Sequence, residues 1–129
     1  MPISYAIDPR LGLVRTTATG VLTDEELLQH KRDLQGDPRF DASMKELSDI
    51  RGVERLDVTA EGVRRAVAMD QGQADALGDY KLALVVSADV VFGMARMYQM
   101  MTEENIEGVG VFRDIEEALE WLGVKSASD

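Results

Sequence analysis

The sequence contains no cysteine. That absence excludes a disulfide framework, a thiolate nucleophile and every cysteine-based zinc site. There is one histidine, His30, so a metal centre would have to be assembled from carboxylates. No apolar run reaches the roughly 18 residues that a membrane-crossing helix needs, so no membrane insertion is expected. The first residues, Met1-Pro-Ile-Ser-Tyr5, enter at once into strand-like side chains, not a basic segment followed by an apolar one. No export signal is read from them, and the cytoplasm is the expected compartment. Positive charge is also short. Fourteen Lys and Arg stand against 24 Asp and Glu, a net charge of −10, which repels phosphate backbones and anionic headgroups and removes nucleic acid as an expected partner. The same field favours a basic protein partner. The acids are dispersed among Lys and Arg, so none of them forms a disordered like-charge tail.

The 129 residues, 45% of them hydrophobic, suffice to bury one sizeable core and are too few for two ordinary domains. One domain is expected over residues 1–124, with 125–129 fraying as a tail. Ile3 to Ile7 and Leu13 to Thr19 read as strands joined by Asp8-Pro9-Arg10-Leu11-Gly12, a hairpin whose second strand has no strongly apolar face and so belongs near a sheet edge. Thr23-Asp-Glu-Glu26 has the spacing of a capping box, and a helix follows to about Gly36 with Leu27, Leu28, Leu34 and the Lys31 stem inward. Met44 to Ile50 predicts a strand that ends in acidic residues, with Asp49 heading a loop. Ala60 to about Ala76 predicts a helix. Leu82 to Val86, five consecutive apolar residues, predicts a central strand covered on both faces. A helix over Asp89 to Glu103, a strand over Val109 to Phe112 and a second capping box at Asp114-Ile-Glu-Glu117 complete the pattern. Alternation after a hairpin predicts an α/β fold, a mixed, mostly parallel sheet with about four helices.

The junction Asp49-Ile-Arg-Gly-Val-Glu-Arg-Leu-Asp57-Val-Thr59-Ala-Glu-Gly62 carries a family signal. It is similar to the strand-to-helix junction of the bacterial anti-sigma-factor antagonists and related STAS domains, where an Asp-Ser-Ser-Gly turn carries a phosphorylated serine. The whole chain resembles the SpoIIAA-like kind by pattern, and that architecture is shared in outline with the lipid-binding CRAL-TRIO domains. The resemblance implies a regulatory, non-enzymatic domain that acts by association, with Thr59 at the acceptor hydroxyl and Asp57 beside it on the partner surface. Val58 replaces one serine and the glycine is displaced to Gly62. The simpler reading of Thr59 is a helix cap, for which Thr is among the preferred residues. A phosphate there would gain from the helix dipole and be opposed by Asp57 and Glu61, with Arg55, Arg64 and Arg65 near enough in sequence to offset the repulsion.

The expected third helix supplies the remaining candidates. At 100° per residue Val90, Val91, Met94, Met97, Tyr98 and Met101 fall on one arc, sufficient for packing on the sheet. Phe92, Arg96, Gln99 and Met100 lie opposite and form a second stripe suited to a protein contact, most simply a symmetric homodimer. In the alternative reading Met94, Met97, Tyr98 and Met101 line a flexible pocket for an apolar, lipid-like ligand. No cofactor and no catalytic residue is expected, since neither a Gly-rich phosphate loop nor a Gly-x-Ser-x-Gly elbow occurs. His30, at the margin of its helix's apolar face, is expected to be partly exposed and without function. Asp49, Ser87 and Asp89 could gather at strand ends, where ligands of α/β sheets bind, but read more simply as caps and loop residues.

Overall fold

The computed structural model describes residues 3–41, 44–77, 81–87, 93 and 109–124, with the backbone alone from 70 to 77. The elements are β1 (Ile3–Asp8), β2 (Leu13–Thr23), α1 (Asp24–Gln35), β3 (Lys45–Asp57), α2 (Ala60–Leu77), β4 (Leu82–Val85), β5 (Val109–Phe112) and α3 (Ile115–Leu122). The strands form one sheet in sequence order, with β1 antiparallel to β2 and each later pair parallel. Three helices are described against about four expected. The segment expected to supply another, 89–103, lies outside the described residues except for Gly93, which is helical and exposed. The tail 125–129 lies outside them too.

The hairpin forms where the turn residues place it. The Asp8 carboxylate accepts from the amides of Arg10 and Leu11 (3.0 and 3.3 Å), and Gly12 takes a positive φ of 60° that a side chain would resist. β1 and β5 are the two edges of the sheet among the described residues. β2 itself is interior over Leu13–Ala18, where it is flanked by β1 and β3, and its Val14, Thr16 and Ala18 are all buried. The expected absence of an apolar face on β2 is therefore corrected: Thr16 is buried with its hydroxyl satisfied.

The larger correction concerns β3, which does not end at Ile50. It runs to Asp57, so Asp49 is a mid-strand residue and not the head of a loop. The pairing with β2 slips twice, between Thr17 and Thr19 and between Gly20 and Val21, and β3 carries the extra residue each time. Each bulge shifts the phase of the alternation by one. Ile50, Val53, Leu56 and Val58 therefore all pack into one cluster at spacings of three, three and two, a pattern that hides the strand from a period-two reading. Of β3, only Glu46 to Asp49 pair with β4. Beyond that point β3 continues as a two-stranded ribbon with β2.

The faces of the sheet are covered separately. Ala18, Leu22, Val53, Val63, Ala66, Val67 and Leu82 form the core beneath α1 and α2. Leu13, Leu47, Ala83, Val85, Leu119 and Leu122 form the core beneath α3. β4 serves both, with Leu82 on one side and Ala83 and Val85 on the other, as its continuous apolar run requires. Asp114 caps α3 by accepting from the Glu116 amide (2.8 Å), and Gly123 ends it in the left-handed conformation at φ 74°. Lys45 Nζ donates to the Leu122 carbonyl at the end of α3 (2.5 Å), which ties that helix to the start of β3.

The edge strand is tied down by a polar knot. Tyr5 Oη donates to Asp37 Oδ2 (2.8 Å), and Asp37 also accepts from the Arg39 amide and guanidinium at 2.8 to 3.1 Å. The Arg39 side chain first, then its amide and the Tyr5 hydroxyl, hold the Asp37 carboxyl well below the usual carboxylate range. A carboxyl depressed in the folded state adds stability that is complete above its unfolded pKa of about 4 and is lost as the pH falls through the folded value. Asp37→Asn should therefore lower the urea midpoint at pH 7 and flatten its decline between pH 4 and 2. Midpoints measured across that range check this, and an acid slope unchanged from wild type would show that the knot adds no stability.

Candidate functional site

β2 and β3 are parallel and end together, with Thr23 opposite Asp57. α1 follows β2 at once and α2 follows β3 after Val58 and Thr59, so the N-termini of α1 and α2 stand side by side. The first residue of α1 meets the cap of α2. Asp24 Oδ1 accepts from the Thr59 amide (2.8 Å) and Oδ2 from the Thr59 hydroxyl (2.5 Å). Thr59 Oγ1 in turn accepts from the Gly62 amide (3.1 Å), the cap expected of it. Beside it Thr23 caps α1 by accepting from the Glu26 amide (3.2 Å), and its hydroxyl donates to the Glu26 carboxylate (3.0 Å).

Gly62 explains itself at this point. A Cβ on it would stand 2.0 Å from Asp24 Oδ1, so only glycine lets the first turn of α2 close on the carboxylate. The place at the positive end of the α2 dipole where an anion is stabilised is thus occupied by the protein's own Asp24. Thr59 and Asp57 are exposed. The arginines near them are engaged: Arg55 with Asp57 (2.7 Å), and Arg64 and Arg65 with Glu61 (3.1 and 3.3 Å). Arg55 holds the Asp57 carboxyl below its ordinary value, and Arg64, with a smaller effect from Arg65, does the same for Glu61. These pairs are open to water and exchange partners at small cost.

A second polar constellation lies deeper, between α1 and the sheet. Glu46 is 1% exposed, and its Oε2 accepts from the Thr16 hydroxyl (2.7 Å) and meets His30 Nε2 at 3.0 Å. His30 is 7% exposed, not partly exposed as its position on the helix suggested, and its ring packs edge-on against Tyr5. Lys31, beside it in sequence, is buried as well. Burying a carboxylate is costly unless it is bonded, and Thr16 from β2 and His30 from α1 supply bonds that cross three elements. The cluster borders an almost wholly apolar cavity of about 80 Å³ whose walls include Leu22, Leu27, Ile50, Val58 and Val63.

Of the residues singled out in the sequence, Thr59 and Asp57 meet at the junction. Phe92, Met94, Arg96, Met97, Tyr98, Gln99, Met100 and Met101 lie outside the described residues. Asp49 is bonded through both oxygens to Arg51, Ser87 donates to the Arg51 carbonyl, and Asp89 lies outside the described residues. Among the described residues no group of three His, Asp or Glu could hold a metal ion, and no helix is long and apolar enough to cross a membrane. Sequence reasoning missed Asp24, His30 and Glu46. The one available signal was Glu46 itself, a charge beside Leu47 inside the strand predicted over Met44 to Ile50.

Two substitutions test this geometry. Gly→Ala inside a helix ordinarily stabilises by about 0.5–1 kcal/mol. Gly62→Ala should instead destabilise by about 1 kcal/mol, because it expels Asp24 and loses both bonds to Thr59. In an Asp24→Ala background the same change should revert to stabilising. Equal effects in both backgrounds, read from urea unfolding, would disprove the clamp. At the buried cluster, His30→Leu should cost about 2–3 kcal/mol, and a double-mutant cycle with Glu46→Leu should give a coupling of about 1 kcal/mol or more. A coupling near zero would show that the pair is energetically independent.

The sequence matches no family model and no curated protein. Among solved structures the chain is similar to an uncharacterised protein of the DUF3478 family with a SpoIIAA-like fold from Shewanella loihica PV-4. The identity is 21%, the TM-score is 0.53, and 93% of each chain is covered. The five-stranded, mostly parallel sheet opened by an antiparallel hairpin, with helices on both faces, is therefore a SpoIIAA-like fold.

Proposed function

We propose that this chain is a non-enzymatic regulatory module that works by protein–protein association as a homodimer, with the junction at Thr59 as its control point. The observation that carries the reading is the clamp itself: an exposed hydroxyl, at the start of a helix, bonded to a carboxylate from a neighbouring helix. A phosphoryl group on Thr59 Oγ would remove the proton that bonds Asp24 and set a charge of about −1.5 to −2 beside that carboxylate. Asp24 would be driven off, and α1 and α2 would lose the bonds that join their first turns. Arg55, Arg64 and Arg65, held only in solvent-exposed pairs, are the groups that would turn to the phosphate. A partner reading this surface would distinguish the two forms, and the net charge of −10 favours a basic one. The second contact surface is the stripe of Phe92, Arg96, Gln99 and Met100 inferred from sequence periodicity.

The deciding experiment is native mass spectrometry of the untagged protein purified from its own host, beside Thr59→Ala and Thr59→Glu variants. The expected result is a dimer, with phosphate that maps to Thr59 and is absent from Thr59→Ala. That variant should lose about 1 kcal/mol of stability as a missing cap, and Thr59→Glu should change the population of complexes. A monomer unmodified at Thr59, with complexes indifferent to both substitutions, would overturn the proposal.

A further inference from the structure

Arg15 stands apart from the paired arginines. Arg39, Arg51, Arg55, Arg64 and Arg65 each meet a carboxylate. Arg15 Nη2 is shut off from solvent without a hydrogen-bond partner, and among the described residues no ion pair reaches this side chain. A guanidinium nitrogen that loses its hydration and gains no acceptor is a net cost to the fold. The chain carries 24 Asp and Glu, so acceptors are not scarce; none is placed to reach it.

Strand register gives the surroundings. Arg15 lies opposite Ala6 on β1 and Leu47 on β3, with Leu13 and Thr17 two residues away on its own strand and therefore on the same face. Leu13 and Leu47 belong to the core beneath α3, so this is the sheet face turned away from α1 and α2. Toward β1 that face is open: Ser4, Ala6, Thr17 and Thr19 are exposed, and Arg15 as a whole is only partly buried. Ala6 is small, and the Ser4 and Thr17 hydroxyls beside it, a cross-strand pair, are engaged by no other described residue. The nearest carboxylates are committed elsewhere. Asp8, opposite Leu13, accepts from the amides of Arg10 and Leu11, and Asp49, opposite Thr17, is held by Arg51. With Lys45 also opposite Leu13, these two acids face two cations, and the neighbourhood has no excess of negative charge.

From this arrangement we propose that Arg15 anchors a carboxylate-binding site on the open face of β1 and β2, with the anion above Ala6 and the Ser4 and Thr17 hydroxyls beside it. The arginine fork matches a planar carboxylate through two parallel bonds. Turning the side chain to bring Nη2 outward breaks no bond, since that nitrogen has none in the resting structure. In a chain of net charge −10 a singly charged carboxylate is repelled less than a doubly charged phosphate. A free acid and a glutamate side chain carried by a partner offer the same group, and the test separates them. The site lies on the sheet face away from α1 and α2 and stands whether or not Thr59 is modified.

The test is a titration of the full chain with acetate and with the blocked peptide acetyl-Ala-Glu-Ala-amide, followed by amide and arginine Nε NMR shifts at constant ionic strength, with chloride and inorganic phosphate as controls. Both carboxylates should give saturable shifts at the Arg15 side chain and at the Ser4, Ala6 and Thr17 amides. Arg15→Lys, which keeps the charge and loses the fork, should weaken binding at least fivefold. Arg15→Met should abolish it and, with the unbonded nitrogen gone, raise the urea midpoint of the ligand-free chain. Tighter binding of the peptide than of acetate assigns the carboxylate to a partner's side chain, and equal or tighter binding of acetate assigns it to a free acid. Absence of saturable shifts, phosphate binding as tightly as either carboxylate, shifts that persist in Arg15→Met, or a urea midpoint lowered by that substitution would each overturn the proposal.

Discussion

The parallel ladder between β2 and β3 is the constraint on which the rest of the structure depends. The two strands are the longest in the sheet and stop in the same register, Thr23 opposite Asp57. Because each leads within two residues into a helix, their common end fixes where two helix N-termini lie. Eight backbone amides would otherwise seek acceptors in a small region of surface. Asp24, Thr23 and Thr59 supply several of these acceptors at once, and a single carboxylate serves both the amide and the hydroxyl of Thr59. The bulges in β3 belong to the same arrangement, since without them the longer strand would overrun its partner and the junction would not close.

The buried Glu46 is the second point where geometry governs. A carboxylate at a position 1% exposed gains nothing from water, so its partners must come from the protein. Thr16 on β2 and His30 on α1 both face it, so the bonds fix the helix over one place on the sheet and discriminate against sliding along it. A mostly apolar void of about 80 Å³ borders the cluster.

Much of the fold was legible in the sequence because its signals are local. The hairpin turn at Asp8 to Gly12, the caps at Thr23, Thr59 and Asp114, the α2 span and the apolar run of β4 each depend on residues within a few positions of one another. The second half of β3 was not legible. Its inward residues keep to one face only because two bulges shift the phase, and a bulge is decided by the partner strand. His30 was misjudged for a related reason. Helical periodicity placed it at the margin of an apolar face, and whether a margin is wet depends on what the neighbouring strands present to it.

The sequence by itself determined that this is an acidic α/β chain without cysteine, with its helices capped where they begin and a hydroxyl at the head of α2. Those properties reside in composition and in contacts between near neighbours along the chain. Only the tertiary structure decided that Asp24 is the partner of Thr59, that Gly62 is required by Asp24, and that Glu46, Thr16 and His30 form one buried cluster. Those pairings join residues separated by 16 to 38 positions in the chain, and no periodicity or spacing encodes them. They follow from strand register, which is set by the sum of pairing and burial over the whole sheet and cannot be read at any one position.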